Sequence, residues 1–483
     1  MSTDSSYRPS RAHLDLGGDF YDEVAAADFP QHVLRYRNGR AAAAVGLEGL
    51  SDEEWVRHFG LFEPLPDNLP APLALRYHGH QFRSYNPNLG DGRGFLFAQL
   101  REKGSGRLLD LATKGSGRTP WSREGDGRLT LKGGYREVLA AAMLEALGVN
   151  TSKAFSLVET GENLVRNDEP SPTRSAVLVR LSHSHVRIGS FQRFAHLGET
   201  ANVERLVDHC IRHYYPALAA EQGPARIAAF LAAVCGAVAS TGAKWLAAGF
   251  AHGVLNTDNV NVTGESFDYG PWRFVPTFDL GFTAAYFDRN GIYSFGQQPT
   301  ALAWNLARLA ECLRPLADAD AIATAQQSFA PTLQQAFVDA LIARFGLASA
   351  GEARDGALLA AIYGFLTSSG APLEQVFFDW FNGEASAARA RRSPVAALYE
   401  AEGFLAVRRA WADHAPRDAA ALDHAYFARA QPCSMLIEEV EAMWQRIAEA
   451  DDWQAFHDKL ADIRVMAAAY GLEAPIVADL IRS

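Results

Sequence analysis

Between residues 94 and 181 the apolar positions come in short runs, 94–100, 107–113, 155–159 and 175–181, separated by glycine-rich turns. Runs of that length, rich in Leu, Val and Phe and closed off by turn residues, predict β-strands. One helix is predicted among them, over about 136–147, because Leu139, Met143 and Leu147 recur four apart and Gly148 is placed to end it. From about residue 200 the period changes. Leu302, Leu306, Leu309, Leu313 and Leu316 fall on one helical face, and helices are also predicted over 332–345, 357–366 and 437–447, with no fixed repeat length. The Ala-rich run 228–239 reads as a buried helix, too short for a membrane span of about twenty residues. Residues 167–173 read as an exposed turn or loop, and 383–394, rich in Ala and Arg, as a surface linker. The fold class expected is α+β: a sheet-rich first part, 1–190, and a large helical second part, 191–483.

Composition narrows the function classes. With 483 residues, 48% of them hydrophobic and 11% aromatic, the chain has enough apolar side chain for well-filled cores. Its 45 Lys and Arg against 56 Asp and Glu give a net charge of -11, which opposes non-specific binding to nucleic acid or to an anionic membrane. The opening Met1-Ser-Thr-Asp-Ser-Ser-Tyr7 lacks a charged-then-apolar secretory pattern, so a cytoplasmic protein is expected. Cys210, Cys235, Cys312 and Cys433 show no metal spacing and read as free, buried thiols.

Several segments carry candidate chemistry. Gly90-Asp91-Gly92-Arg93 precedes a predicted strand; its glycines would let backbone N–H groups approach a phosphate, with Arg93 adding a charge, although Gly-Asp-Gly is also an ordinary turn. Lys114 follows an apolar strand, and Glu137 opens the predicted helix 23 residues later, the order in which kinases place a phosphate-holding lysine and the glutamate that orients it. Glu137 could equally serve only to complement the positive end of its helix. The intervening loop is dense in Gly, Ser and Arg and repeats Gly125-Asp126-Gly127-Arg128, which suits a triphosphate lid. Arg180 and Arg187, seven residues apart, could clamp pyrophosphate oxygens or stand solvated at the surface. The pairs His78/His80 and His183/His185 lack a third ligand at metal spacing.

The strongest signal is His252-Gly-Val-Leu-Asn-Thr-Asp-Asn259. A kinase catalytic loop carries its base Asp five residues before a metal-binding Asn. Here that position is Val254, which accepts no proton, while Asp258 stands beside Asn259. Asp268-Tyr269-Gly270 follows in the outline of the magnesium-binding Asp-Phe-Gly element, and Asp279-Leu280-Gly281 repeats that outline; Asp268 is favoured because it lies closer to Asn259.

Taken together with Tyr77-His-Gly-His-Gln-Phe82, these segments resemble the selenoprotein O or YdiU family of kinase-like protein adenylyltransferases, across most of residues 70–315. The resemblance implies a protein-kinase-like two-lobe fold and transfer of AMP from ATP to Ser, Thr or Tyr hydroxyls of protein substrates. ATP would lie reversed relative to a kinase, with pyrophosphate leaving. It implies that Gly90, Gly92, Arg93, Lys114, Asp126, Gly127, Arg180, Arg187 and Asp268 hold the nucleotide, that Glu137 orients Lys114, that Asn259 and Asp268 bind Mg2+ or Mn2+, and that Asp258 is the proton acceptor. Two departures bear on the lid: Lys132-Gly133-Gly134 replaces a common Arg-Ser-Ser, and Gln81-Phe82-Arg83 a glycine-containing stretch. Some relatives carry a cysteine or selenocysteine near the C-terminus; this sequence closes Ala478-Asp-Leu-Ile-Arg-Ser483, so redox control through a terminal thiol is not expected.

Overall fold

The computed structural model describes residues 6–472; most of the opening stretch and all of Ala478-Asp-Leu-Ile-Arg-Ser483 lie outside them. The four predicted strands form, as Leu96–Arg101, Leu108–Lys114, Lys153–Leu164 and Thr173–Ser182. They belong to one nine-stranded antiparallel sheet, in the order Tyr21–Glu23, Leu73–Leu75, Leu96–Arg101, Leu108–Lys114, Thr173–Ser182, Lys153–Leu164, Val33–Arg37. Pro9–Ser10 and Leu129–Thr130 pair beside that path. The short outer strands escape sequence reading because two to five residues give no usable period.

Alternation along the strands, shifted in Lys153–Leu164 by an irregularity in register between Ala154 and Ser156, divides the apolar side chains between two cores. Leu157 and Leu178 face the helix Leu131–Ala146, while Phe155, Val177 and Val179 face Trp55 and Phe59 of the helix Asp52–Phe59. That second helix, together with Gly39–Ala44, is an addition to the single helix predicted in this region.

The helix predicted over 136–147 starts earlier, at Leu131. Thr130 caps it, its hydroxyl accepting from the Gly133 N–H at 3.1 Å. Gly133 and Gly134 fall inside its first turn, and the helix lies so close to the sheet that a Cβ on Gly134 would stand 2.5 Å from Leu157 Cδ1.

The helical part contains Gln298–Leu313, Phe329–Arg344, Glu352–Ser369 and Ile437–Ala450, matching the four expected stretches. Of the predicted leucine face, Leu302, Leu306, Leu309 and Leu313 are all buried, whereas Leu316 lies beyond the helix, half-buried in the single turn Arg314–Leu316. Gly223–Ala247 extends well beyond the apolar run and, at 25 residues, is long and apolar enough to cross a membrane, so length alone does not exclude a span. More than half of its apolar window is buried within the protein, against Phe329–Arg344, Ala319–Gln327 and Gln298–Leu313.

Residues 383–394 are not the expected linker. They form the short turns Gly383–Ser386 and Ala387–Ala390, with Gly383, Ser386 and Ala390 buried. Arg389 lies over the rings of Phe378 and Phe427, its stem packed where a solvated charge was expected. The last helices, Ile437–Ala450 and Gln454–Tyr470, return to the sheet-rich region. Tyr135 donates to the Val440 carbonyl at 3.1 Å, and Lys132 pairs with Glu441 at 2.7 Å.

Candidate functional site

Lys114 ends a strand whose seven residues are all buried. Its ammonium meets Glu137 and, at 2.6 Å, Asp268 Oδ1. Arg180 sits on the adjoining strand, opposite Ala112, and brings Nη1 to 3.3 Å from Asp268 Oδ1 and 3.7 Å from Glu137 Oε2. Two cations and two carboxylates thus meet in one cluster, buried except at the half-buried Asp268, and the opposed charges offset the cost of taking each out of water. Glu137 lies in the second turn of its helix and is 2% exposed, so it serves this cluster and not the helix end. Asp268 adopts a left-handed backbone, φ 63°. Burial opposes its ionisation, but Lys114, Arg180 and Arg187 together outweigh burial and hold its carboxyl well below the usual range.

Asp258 lies in the single turn Thr257–Asn259. The backbone around it is fixed from several sides: Asn256 Oδ1 accepts from Phe82 N–H at 3.1 Å and from Tyr293 OH at 2.8 Å, and Thr257 Oγ1 accepts from His80 N–H at 2.7 Å. Asn305 Nδ2 donates to the Leu255 carbonyl at 2.8 Å. Asp258 Oδ1, by contrast, is buried without a hydrogen-bond partner among the described residues. Burial, partly offset by Arg187, pushes its carboxyl up to about 6. Asn259 donates Nδ2 to the Val254 carbonyl at 3.2 Å, which leaves its amide oxygen as the free acceptor end.

Arg187 immediately precedes the helix Ile188–Leu197. Nη1 donates to Tyr77 OH at 3.1 Å and to the Asp258 carbonyl at 3.3 Å, and Nη2 pairs with Asp91 at 3.1 Å. The guanidinium lies over Tyr77 at 4.3 Å and Phe267 at 5.2 Å. Arg180 also approaches Phe267, at 5.7 Å, so the two arginines share one ring. Both are buried, contrary to a solvated-surface reading, and the Nε atoms of both lack partners among the described residues.

The glycines act through close packing. A Cβ on Gly90 would stand 2.4 Å from Trp121 Cγ, and one on Gly92 2.8 Å from the Trp121 carbonyl. Thr119 Oγ1 donates to the Asp91 carbonyl at 2.6 Å, tying the lid-like loop to the Gly90–Gly92 turn. Gly127 has φ 71° and approaches the Gly117 carbonyl where a Cβ would lie at 2.3 Å. Two expected site residues stand apart from the ionic cluster: Arg93 is exposed, and Asp126 is exposed and paired with Arg166 at 2.8 Å. Asp279 accepts from Gly281 N–H in an exposed turn at 2.9 Å, so of the two Asp-x-Gly segments only the first reaches Lys114.

Tyr77, Asp91 and Phe267 were missed as site residues. Asp91 sat in view between two glycines, but a turn aspartate and a partner for a buried arginine look alike in sequence. Among the described residues no group of three or more His, Cys, Asp or Glu side chains is gathered for a metal, and His183 and His185 are buried without one.

Known proteins share this arrangement's sequence over nearly its whole length. The family model described as "Protein adenylyltransferase SelO" matches residues 3–464. A protein named "Protein nucleotidyltransferase YdiU" from Synechocystis sp. is 43% identical over 468 residues, 94% of this chain and 96% of its own. Proteins of the same name from Gloeobacter violaceus and Trichormus variabilis are 42% and 41% identical, each over 95% of this chain and 95% and 96% of their own. The chain belongs to the SelO family of protein adenylyltransferases.

Proposed function

We propose that this protein transfers AMP from ATP to Ser, Thr or Tyr hydroxyls of other proteins, on a kinase-like frame whose two lobes divide near residue 190. The observation that carries the reading is the buried Asp258 carboxylate beside Asn259, whose Oδ1 has no hydrogen-bond partner among the described residues, in a loop whose usual base position is Val254. The acceptor hydroxyl gives its proton to Asp258 Oδ1 as its oxygen bonds to the α-phosphorus, and the bond from that phosphorus to pyrophosphate breaks. A carboxyl near 6 is ionised at neutral pH yet basic enough to take the proton. Lys114 and Arg180, fixed in one cluster, supply preorganised positive charge for the triphosphate, and Glu137 holds Lys114 in place. Arg187 is committed to Asp91, Tyr77 and the Asp258 backbone, so it acts chiefly by positioning the Asp258 turn.

A divalent cation such as magnesium or manganese fits the donors here. Asn259 offers an oriented amide oxygen and Asp268 an ionised carboxylate, both hard ligands, with phosphate oxygens and water to complete the shell. Bound there, the cation would neutralise charge building on the leaving pyrophosphate. The test is ATP labelled separately on the α- and γ-phosphates. Protein should acquire label only from the α-position; label from the γ-position alone would make this a kinase, and binding without label a scaffold.

A further inference from the structure

We propose that the acceptor protein docks on the exposed Tyr286-Phe287 pair and its flanking arginines, and that it presents its hydroxyl beside an acidic residue; this rests on the transfer reading above. Tyr286 is 82% exposed and Phe287 45%, and the two rings meet edge-on at 5.2 Å. Ordering two aromatic rings against solvent gives the protein itself little, whereas such rings supply large contact area to a partner at low entropic cost.

The patch is continuous with the catalytic turn. Phe287 packs on Phe82 at 5.9 Å, and Phe82 on Tyr293 at 5.0 Å. Phe82 N–H and Tyr293 OH both donate to Asn256 Oδ1, two residues before Asp258. A segment seated on Tyr286 and Phe287 is therefore linked, through Phe82 and Tyr293, to the turn that holds the proposed base. Phe82 and Arg83 are both held in left-handed backbone conformations, φ 48° and 66°, strain that non-glycine residues carry where the surroundings require a set geometry.

Charge selects the occupant. Arg83 is exposed, lies over Trp304 at 6.0 Å, and has no carboxylate partner among the described residues. Arg289, two residues past Phe287, is exposed and likewise without one. In a chain of net charge -11, two unpaired arginines around two exposed rings form a local positive rim. Such a rim steers and orients an acidic, hydroxyl-bearing segment and disfavours a basic one.

The experiment compares the full chain with Tyr286→Ser and Arg83→Glu, each incubated with α-labelled ATP and magnesium in a clarified bacterial lysate, reading label on acceptor proteins. Both substitutions fall on exposed side chains, and the melting temperature with and without magnesium and ATP checks the fold and nucleotide binding. Acceptor labelling should fall about tenfold in each, with the ATP-induced shift unchanged, while Tyr286→Phe and Arg83→Lys keep most of it. Labelling within about twofold of the wild-type level in both disruptive variants overturns the docking surface. A wild-type chain that labels nothing overturns the transfer reading, and the docking surface with it.

Discussion

Asp258 is kept against the preference of its surroundings, and the tension is measurable. Its carboxyl titrates near 6 in the folded protein and near 3.9 in an unfolded chain. A raised folded value means that the neutral form favours folding at low pH and that this advantage disappears as pH rises through 6. Asp258→Asn should therefore leave stability nearly unchanged at pH 4 and raise it at pH 8, on the order of 3 kcal/mol, in thermal or urea unfolding. The same variant should lose transfer activity while still binding ATP, and the wild-type rate should climb as pH rises through about 6. Asp258, Asn259 and Asp268 were legible because a spacing within ten residues carries them. Asp91 and Tyr77 were not, since their partner Arg187 lies 96 and 110 residues away and nothing local encodes that meeting.

At the scale of single elements, the helix Leu131–Ala146 carries Glu137 to Lys114, so its start matters more than its length. Thr130→Ala removes the cap and should cost about 1 kcal/mol in chemical denaturation. Gly134→Ala should destabilise as well, because its added methyl forces the fully buried Leu157 side chain to move. Equal stability of Gly134→Ala and wild type would show that helix and strand are not in the close contact described. Apolar periodicity found the helix, but its first turn contains two glycines that only packing explains: Gly134 lies against Leu157, and Gly133 against Leu129 and the capping Thr130. Residues 383–394 mislead for the opposite reason. Ala and Arg read as solvated, yet the arginine's stem and plane find aromatic partners that the local composition does not announce.

Across the whole molecule, a group of buried histidines links the first strands to the helix Thr200–Tyr214. His13 and His209 lie 5.9 Å apart, and His209 and His213 4.6 Å. Burial drives His13 down to about 4, His183 to about 3 and His209 to about 2, with Asp110 favouring protonation of the first two and neighbouring histidines opposing that of His209. A depressed folded value leaves stability intact above the unfolded value of about 6.5 and removes it as pH falls toward the folded one. Each such histidine contributes a slope of about 1.4 kcal/mol per pH unit in that window. The melting temperature should accordingly drop steeply from pH 6.5 to pH 5, and less steeply in His209→Gln; a flat profile would mean that these rings already carry protons.

The claim on which the rest depends is that Asp258 accepts the proton as an adenylyl group moves to a protein hydroxyl. It is tested most directly by intact-mass measurement of an acceptor protein after incubation with ATP and magnesium, using the wild-type chain and Asp258→Ala in parallel. The account predicts addition of one AMP residue with the first and no addition with the second. Addition of a phosphoryl group, or AMP addition undiminished in Asp258→Ala, would contradict it.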